Sequence, residues 1–327
     1  MTITHPPKTL IDRHYETLRR FSDEGGPLRT ESSTATTRWS DAFIAGAPSS
    51  SRRALHRAML DRVLQPEGVD ESRIIMTAGP PAAGKTRAVD AEVIRSGIPN
   101  EQWVRADPDR MKDLLLQALV DDGSYRDRLL PDQVKELEDQ GEHFFRREMA
   151  SLVHEESSQL TKDLIRRTLS DGACMVLDGV LANEAAARTT LKRIAVADAD
   201  YKVALVVVDC TLEASRARGK RRWERGYRQA LDAMDQGAHP DTQNGGRFVP
   251  SEFRRFVFTR SQVSSVCLNV AMAMAWEFPN VTNFEYHWAP VDEAARLAFS
   301  EEREPGAPWT RLASLTPGPP QLSNNNH

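Results

Sequence analysis

The chain has 327 residues, 40% of them hydrophobic and 28% charged, which predicts a folded globular protein with a sizeable core. Its net charge of −4 provides no overall basis for binding nucleic acid, and no apolar stretch is long enough to span a bilayer. Residues 1–7 lack the apolar centre of a signal peptide, and the three cysteines lack a metal-binding spacing, so we expect a cytoplasmic protein. Cys174 and Cys210 lie in or beside apolar strands, and we expect their thiols to be buried and inert.

Two helices are predicted ahead of the first strand. Apolar side chains at helical spacing predict the first over residues 10–21 and the second over residues 49–64. Between them, residues 22–37 are rich in Gly, Ser and Thr and are predicted to form a connector. Residues 1–9 are predicted to be disordered, and residues 1–72 together to form an N-terminal helical extension.

A phosphate-binding loop follows the first predicted strand, at residues 73–78. The segment Gly79-Pro80-Pro81-Ala82-Ala83-Gly84-Lys85-Thr86 fits the pattern G-x-x-x-x-G-K-[ST], with Arg87 directly after it, and a helix is predicted to begin at Thr86. Such a loop directs backbone N–H groups at an anion, and the helix N-terminus adds a positive dipole end. We expect residues 79–87 to bind ATP, with GTP as the alternative nucleotide. Lys85 would reach the β- and γ-phosphates, and the Thr86 hydroxyl would bind Mg²⁺.

From this loop onward the pattern alternates between strand and helix, which predicts an α/β fold with a mostly parallel sheet. We expect a three-layer α/β/α nucleotide-kinase-like domain of the P-loop NTPase class over residues 73–290. Its other strands are predicted at residues 103–106, 173–177, 202–208 and, as the last one, 282–287. Helices are predicted at residues 131–169 (broken near Gly141), 211–234 and 250–277. Residues 291–327 would form a C-terminal tail, disordered from residue 304 onward because of its prolines and asparagines.

Carboxylates follow three of the predicted strands: Asp107 with Asp109, then Asp178, then Asp209. The ligand crevice of an open α/β sheet lies outside these strand ends. Asp is also common as a helix N-cap or turn residue, and we favour that interpretation for Asp209. For the other three we favour a functional role, since a kinase needs a carboxylate to accept the proton of the attacking hydroxyl.

Basic side chains are concentrated in the helix predicted at residues 211–234, namely Arg216, Arg218, Lys220, Arg221, Arg222, Arg225 and Arg228. Most of them are expected to form a solvated face. One or two would stabilise charge on a transferred phosphoryl group, as lid arginines do in small-molecule kinases. Arg247 is a second candidate, because Gly245-Gly246 before it predicts a mobile loop that would carry it over the phosphates; the alternative is a plain interhelical turn.

These pieces together resemble the zeta-toxin family of P-loop kinases over residues 73–253, with a weaker tail to His287. They occur in the family's order: the loop Gly79 to Thr86, then Ala106-Asp107-Pro108-Asp109-Arg110-Met111-Lys112, Ser157-Ser158-Gln159-Leu160, Val176-Leu177-Asp178-Gly179, Arg221-Arg222-Trp223-Glu224 and Arg247-Phe248-Val249-Pro250. Beyond the loop no single piece is specific, but the ordered set is.

The resemblance implies an ATP-dependent kinase of nucleotide-sugars such as UDP-N-acetylglucosamine, phosphorylated on the 3′-hydroxyl of its amino sugar. Asp109 matches the catalytic base, and Arg222 and Arg247 match arginines that contact the triphosphate. Asp107, Lys112 and Asp178 fall on the substrate side. The family also implies an antitoxin-like protein partner.

Two departures from the family pattern matter. About 70 residues precede the first strand, and they could pack on the kinase, bind an antitoxin-like partner or contact another protomer. Val180 stands where the best-known members have a threonine, which leaves the acceptor open. The acceptor could therefore be a nucleoside, NAD, an amino sugar or an RNA end. An ATPase switch, a polynucleotide 5′-kinase and a non-catalytic nucleotide-fold protein remain as alternatives. The polynucleotide kinase rests on the basic helix alone, and intact Lys85, Thr86 and Asp109 speak against a dead site.

Overall fold

The computed structural model describes residues 8–64, 72–198 and 200–314. By contacts the chain divides into two compact units, which we call the helical unit and the sheet unit. The helical unit comprises Met1–Gln65, Asp107–Arg166 and Gly219–Arg255, and the sheet unit comprises Pro66–Ala106, Arg167–Arg218 and Phe256–His327. The predicted division at residues 72 and 290 follows the order of the chain, whereas these units interleave along it.

Helices and strands alternate along most of the described chain. The α-helices are α1 Lys8–Ser22, α2 Ser50–Val63, α3 Lys85–Ser96, α4 Pro108–Asp121, α5 Asp132–Asp139, α6 His154–Ser170, α7 Glu184–Ala197, α8 Leu212–Asp235, α9 Ser251–Val257 and α10 Val266–Glu277. The strands are β1 Phe43–Ile44, β2 Ala47–Pro48, β3 Arg73–Ala78, β4 Val104–Ala106, β5 Met175–Leu177, β6 Lys202–Asp209, β7 Val281–Trp288, β8 Arg296–Glu302 and β9 Thr310–Ser314. None of the helices in the described part of the chain is both long and apolar enough to cross a membrane.

The seven-stranded sheet confirms the predicted α/β class. Its order is β4-β5-β3-β6-β7-β8-β9, and the five strands from β4 to β7 pair in parallel. Ile75 in the central strand β3 lies between Val176 of β5 and Ala204 of β6. In this order the topological switch point, where the strand order changes direction, lies between β3 and β6. Open α/β folds bind their ligands in the crevice at that point.

The C-terminal predictions were wrong in two respects. Residues 282–287 do form a strand, but it is not the last one, because β8 and β9 continue the sheet in antiparallel pairing. Residues 304–314, predicted to be disordered, include β9, which pairs with β8 at the edge of the sheet. The prolines of the tail led to the wrong prediction there. Residues 8 and 9, also predicted to be disordered, begin α1. The remaining disorder predictions, for residues 1–7 and 315–327, lie outside the described residues.

The core of the sheet unit is apolar, as near-continuous hydrophobic strands require. Ile75, Val176, Val206 and Val208 from the sheet pack with Val89 from α3 in one buried cluster. The three cysteines are free and buried, which confirms the predicted environment of Cys174 and Cys210. Burial raises the pKa of the Cys210 thiol to about 12, so it is protonated and unreactive.

Buried ion pairs contribute to the helical unit. Glu156 of α6 accepts two hydrogen bonds from Arg52 of α2, at 2.5 and 2.8 Å, and lies 2.6 Å from His56 Nε2. Burial alone would raise the pKa of Glu156, but bonding to His56 and Arg52 lowers it to about 2.

The helix predicted at residues 131–169 is in fact several pieces. It comprises α5, a 3₁₀ turn at Arg146–Met149, and α6. The break falls at Gly141, as predicted, because φ there is +88°, a left-handed conformation that ends a helix.

Candidate active site

The phosphate loop joins β3 to α3 and has the backbone shape its sequence predicts. Gly79 has φ of +140°, and a Cβ at this position would lie 2.0 Å from the Val208 carbonyl oxygen of β6. Only glycine fits there. Gly84, with φ of +99°, precedes the first turn of α3, and its backbone faces open space. The loop therefore keeps its first glycine against the sheet and its second at the exposed start of the helix.

Lys85 folds back over this loop. Its Nζ donates to the carbonyl oxygens of Gly79 at 3.0 Å and Pro80 at 3.3 Å, while Thr86 and Arg87 are exposed. An ammonium group held at the loop and a hydroxyl exposed at the helix N-terminus are the groups that bind a phosphate chain and its Mg²⁺. The shape and donor set of residues 79–86 thus fit a nucleoside triphosphate with its metal ion.

Two side chains from the start of α8 fix the loop, and the sequence reasoning did not single them out. Ser215 Oγ donates to the Pro81 carbonyl oxygen at 2.8 Å, and Arg218 Nη1 donates to that of Ala83 at 3.4 Å. Arg218 also donates to the carbonyl oxygens of Pro290 and Glu293. Ser215 and Arg218 lie three residues apart, and this spacing alone indicated that they share a face of the helix. Arg218 was instead interpreted together with the other basic residues of that helix.

The segment after β5 brings Asp178 beside the phosphate loop. Thr77 Oγ1 of β3 lies 3.0 Å from Asp178 Oδ1 and accepts a hydrogen bond from Gly179 N at 2.8 Å. The Gly79 N–H donates to the Val180 carbonyl oxygen at 3.0 Å. Val180 therefore contacts the loop through its backbone carbonyl group.

In the helical unit, Asp107 and Asp109 open α4. Asp107 is the N-cap, and its Oδ1 accepts the Asp109 N–H at 2.8 Å. Pro108 occupies the first helical position, where a missing N–H is harmless. Asp107 thus has the capping geometry weighed from the sequence, and it fixes the start of the helix that carries Asp109.

Asp109 is surrounded by cations. Lys112 Nζ, one turn along α4, donates to Asp109 Oδ1 at 3.2 Å, and Arg247 forms an ion pair with Oδ2. Burial would raise the pKa of Asp109, but Lys112 and Arg247, with Arg222 farther away, lower it below the ordinary value. The carboxylate is therefore ionised at neutral pH and can accept a proton.

Asp113 and Arg147 complete this group and were also missed from the sequence. Arg147 donates to both oxygens of Asp113, through Nε at 3.0 Å and Nη2 at 2.7 Å. Arg247 Nη2 lies 3.3 Å from Asp113 Oδ1 and 3.3 Å from the Asp109 carbonyl oxygen. We call Asp109, Lys112, Asp113, Arg147 and Arg247 the acidic-helix cluster. The spacing of Asp109, Lys112 and Asp113 on one helical face was the only local signal.

The glycine pair before Arg247 does not make a mobile loop, and that prediction was wrong. A Cβ on Gly246 would lie 2.0 Å from the Trp223 carbonyl oxygen of α8, and one on Gly245 would lie 2.3 Å from Phe145 Cβ. Both glycines permit close packing of the backbone. The adjoining Asn244 carbonyl oxygen also accepts the Arg147 N–H at 2.9 Å. Arg247 is thus presented by a braced segment.

The other members of the basic helix divide as expected between solvent and structure. Arg216, Arg222 and Arg225 are exposed. Lys220 forms an ion pair with Asp12 of α1 at 2.6 Å, and Arg228 pairs with Glu224 at 2.8 Å. Arg222 is near enough to Asp109 to lower the pKa of that carboxyl.

Asp209 has a structural environment beside the start of α10. It is fully buried at the end of β6, and its carboxylate accepts the N–H groups of Cys210 at 2.9 Å and Ser265 at 3.2 Å. Ser265 is the N-cap of α10, so Asp209 supports that helix instead of α8. Burial raises the pKa of Asp209 to about 6.

Comparison with known proteins supports the predicted family. A family model described as Zeta toxin matches residues 119–275, just under half of the chain. The matched segment includes Asp178, Arg222 and Arg247 but begins after the phosphate loop and Asp109. No curated protein sequence matches the chain significantly.

Several solved structures match the chain. One comes from the PezAT chromosomal toxin–antitoxin system of Streptococcus pneumoniae, with 13% identity over 76% of this chain and 79% of that chain and a TM-score of 0.44. Another comes from the AvrRxo1-ORF1:ORF2 complex with ATP, with 18% identity over 78% and 68% and a TM-score of 0.48. The family match agrees with the order of motifs in the sequence and with the parallel sheet around the phosphate loop. The predicted resemblance to the zeta-toxin family of P-loop kinases is therefore confirmed over residues 119–275.

Proposed function

We propose that this protein transfers the γ-phosphoryl group of ATP to a hydroxyl of a nucleotide-sugar or a similar anionic acceptor, with Asp109 as the base. The family supports an ATP-dependent kinase in general, and the acceptor and the residue roles are our proposal. The observation that carries it is the ionised Asp109 carboxylate paired with Arg247, in a chain that also has a complete phosphate loop.

On the nucleotide side, residues 79–87 bind the triphosphate. Lys85, which now donates to the loop's own carbonyl oxygens, exchanges them for β- and γ-phosphate oxygens, and the Thr86 hydroxyl binds Mg²⁺. ATP with Mg²⁺ supplies the phosphoryl group and neutralises part of its charge when bound. Ser215 and Arg218 keep the loop in position through its carbonyl groups.

On the acceptor side, Asp109 takes the proton of the attacking hydroxyl. The acceptor oxygen bonds to the γ-phosphorus as the bond from phosphorus to the β,γ-bridging oxygen breaks, and ADP leaves. Arg222 and Arg247 stabilise the charge on the transferred group, and Lys85 assists. The resemblance assigns Asp107 and Asp178 to the substrate; Asp107 fixes the start of α4, and Asp178 is held by Thr77.

The charges around Asp109 favour an anionic acceptor. Lys112, Arg147, Arg222 and Arg247 each interact electrostatically with this carboxylate. These four cations outnumber the carboxylates of Asp109 and Asp113 that they surround, and this excess of positive charge suits the diphosphate of a nucleotide-sugar better than a neutral sugar or nucleoside. The family leads us to propose an antitoxin-like protein partner as well, which would suppress the activity on co-expression.

The test is an ATP-consumption assay on purified protein with UDP-sugars, nucleosides, NAD, amino sugars and RNA ends, and with GTP in parallel. Mass spectrometry of the products should find a nucleotide-sugar heavier by one phosphoryl group. Asp109→Asn should lower the rate by about 10²–10⁴, the usual contribution of a general base. Asp121→Asn is the matched control, because Asp121 is exposed on the same helix and contacts Gln117.

Three outcomes would change the proposal. ATP turnover without any phosphorylated acceptor would identify an ATPase. Full activity of Asp109→Asn would remove Asp109 as the base. A phosphorylated product from a neutral acceptor would keep the kinase chemistry and overturn the anionic acceptor.

A further inference from the structure

Asp113 lies one helical turn after Asp109 on the same face of α4. Its carboxylate accepts three hydrogen bonds, two from Arg147 and one from Arg247. The two-point contact with Arg147 fixes the plane of this carboxylate, because a guanidinium and a carboxylate match only in coplanar geometry. Asp113 Oδ1 is thereby aimed at Arg247.

The Arg247 side chain depends on α4 for its position. Its side chain is 14% exposed, and its hydrogen-bond and ion-pair partners are Asp113, the Asp109 carboxylate and the Asp109 carbonyl oxygen. Its buried Nε has no hydrogen-bond partner among the described residues. The close packing at Gly245 and Gly246 fixes the backbone, but the orientation of the guanidinium is set by the carboxylates of one helix.

We propose that Asp113 is a positioning residue that, braced by Arg147, holds the Arg247 guanidinium in line beside the Asp109 carboxylate. The catalytic meaning of this arrangement rests on the proposed kinase function, while the arrangement itself does not. Without Asp113, Arg247 would keep its charge and its backbone position but lose its fixed orientation.

A purely stabilising role does not account for this network. The side chains of Asp113 and Arg147 are 28% and 34% exposed, and ion pairs of that exposure contribute little to folding stability. Orientation matters far more in phosphoryl transfer, where a displacement of about 1 Å can change the rate roughly 10²-fold. The network thus affects the rate more than the fold.

The kinetic test is Asp113→Asn, which keeps the shape of the side chain and removes its charge. We expect kcat to fall about 10- to 100-fold, with the KM for ATP within about twofold and an unchanged melting temperature. Arg147→Lys should reproduce part of the loss, because lysine cannot make the two-point contact. Asp113→Glu should recover part of it, and Asp121→Asn is again the control.

A double-mutant cycle with Arg247→Ala tests whether Asp113 affects the rate through Arg247. If Asp113 acts through Arg247, Asp113→Asn should have no further effect once Arg247 is gone. An equal loss in both backgrounds, or a loss that follows a fall in melting temperature, would overturn the proposal.

A spectroscopic test does not require the enzyme to be active. In arginine-¹⁵N-labelled protein, the Arg247 Nε–H signal, assigned by its absence in Arg247→Lys, should exchange slowly with water because it is buried. Asp113→Asn should speed this exchange at least tenfold, while Asp121→Asn leaves it unchanged. Equal exchange in the wild type and Asp113→Asn would refute the positioning role. Lack of phosphoryl transfer by the wild type would instead refute the kinase proposal and leave this measurement valid.

Discussion

The phosphate loop and the acidic-helix cluster place charged groups by different means. The loop is contiguous in sequence, and its geometry comes from backbone conformation, with Gly79 against Val208 and Gly84 at the start of α3. The cluster draws its five side chains from residues 109–147 and from Arg247, and ion pairs hold it together.

Because of this difference, we expect the two regions to respond differently to substitutions and to changes in pH and salt. A backbone-defined site depends on a few glycines and one cation, and it responds little to pH or salt. A site made of ion pairs shares its charge among several groups, so the loss of any one charged partner of Asp109 should have a smaller, pH-dependent effect. Changes in both regions test whether this contrast is real.

Lys85→Ala should have the largest effect in the phosphate loop, of the same order as that of Asp109→Asn in the cluster. The ammonium is the loop's own cation, and removing a group that stabilises transition-state charge costs about 10²–10³ in kcat. Single-turnover kinetics would measure the loss, with Lys192→Ala on the exposed face of α7 as the control.

The double variant Lys85→Ala/Asp109→Asn then tests whether the two regions serve one reaction. Groups that act as a unit give grossly non-additive losses, so the double variant should be little worse than the worse single one. Losses that multiply would mean that Lys85 and Asp109 act in separate steps.

His14 should show the next largest effect, on stability at high pH. In the helical unit its Nδ1 lies 2.5 Å from Glu142 and its Nε2 lies 3.2 Å from Glu148. Burial opposes protonation, but the two carboxylates raise the pKa of His14 to about 9. Because the folded pKa lies above the unfolded value of about 6.5, the stabilisation is complete below pH 6.5 and is lost as the pH rises through 9.

Each pKa unit corresponds to about 1.4 kcal/mol, so this loss is about 3 kcal/mol in the free energy of unfolding. Denaturant unfolding between pH 6 and pH 10 would measure it. His14→Gln should be less stable at pH 6 and should lack most of the pH dependence. Hydrogen exchange, corrected for its intrinsic pH dependence, should show α1 loosening before β6. Equal protection of α1 at both pH values would contradict the assignment.

The same contrast explains what could be predicted from the sequence. The loop, β3 and the start of α3 were predictable because each depends on neighbours in the chain. The acidic-helix cluster could not be predicted in this way, since Arg147 and Arg247 lie far along the chain from Asp113 and Asp109, which they contact. The resemblance supplied Asp109 and Arg247 as residues but not their ion pair. Gly245 and Gly246 were misinterpreted because a sequence does not show whether glycine provides freedom or close approach, and only Phe145 and Trp223 decide between the two.

Gly79→Ala and Gly246→Ala compare the backbone of the two regions directly. Each added Cβ would meet a carbonyl oxygen at 2.0 Å, but Gly79 also has a φ of +140° and Gly246 has no positive φ. Overpacking costs about 1–3 kcal/mol, and the strained φ adds to it, so Gly79→Ala should be the more destabilising. Thermal unfolding would measure both, with Gly179→Ala as the control because its Cβ would meet nothing within 4 Å. Equal losses would remove the conformational argument for Gly79.

Lys112→Met should give the smallest and most specific effect, a shift in pH dependence. Lys112 donates to Asp109 at 3.2 Å and, with Arg247, lowers the pKa of that carboxyl against the opposing effect of burial. Without the ammonium the ionised form loses a partner, so the pKa of Asp109 rises and the acid limb of the kcat/KM profile moves to higher pH. Profiles from pH 4 to pH 9 would show this shift even if Lys112 also binds the acceptor, because lost binding lowers the plateau without moving the limb. An unmoved limb would mean that Asp109 is not the group whose protonation stops the reaction, and the ion pairs of the cluster would then have no part in setting its base.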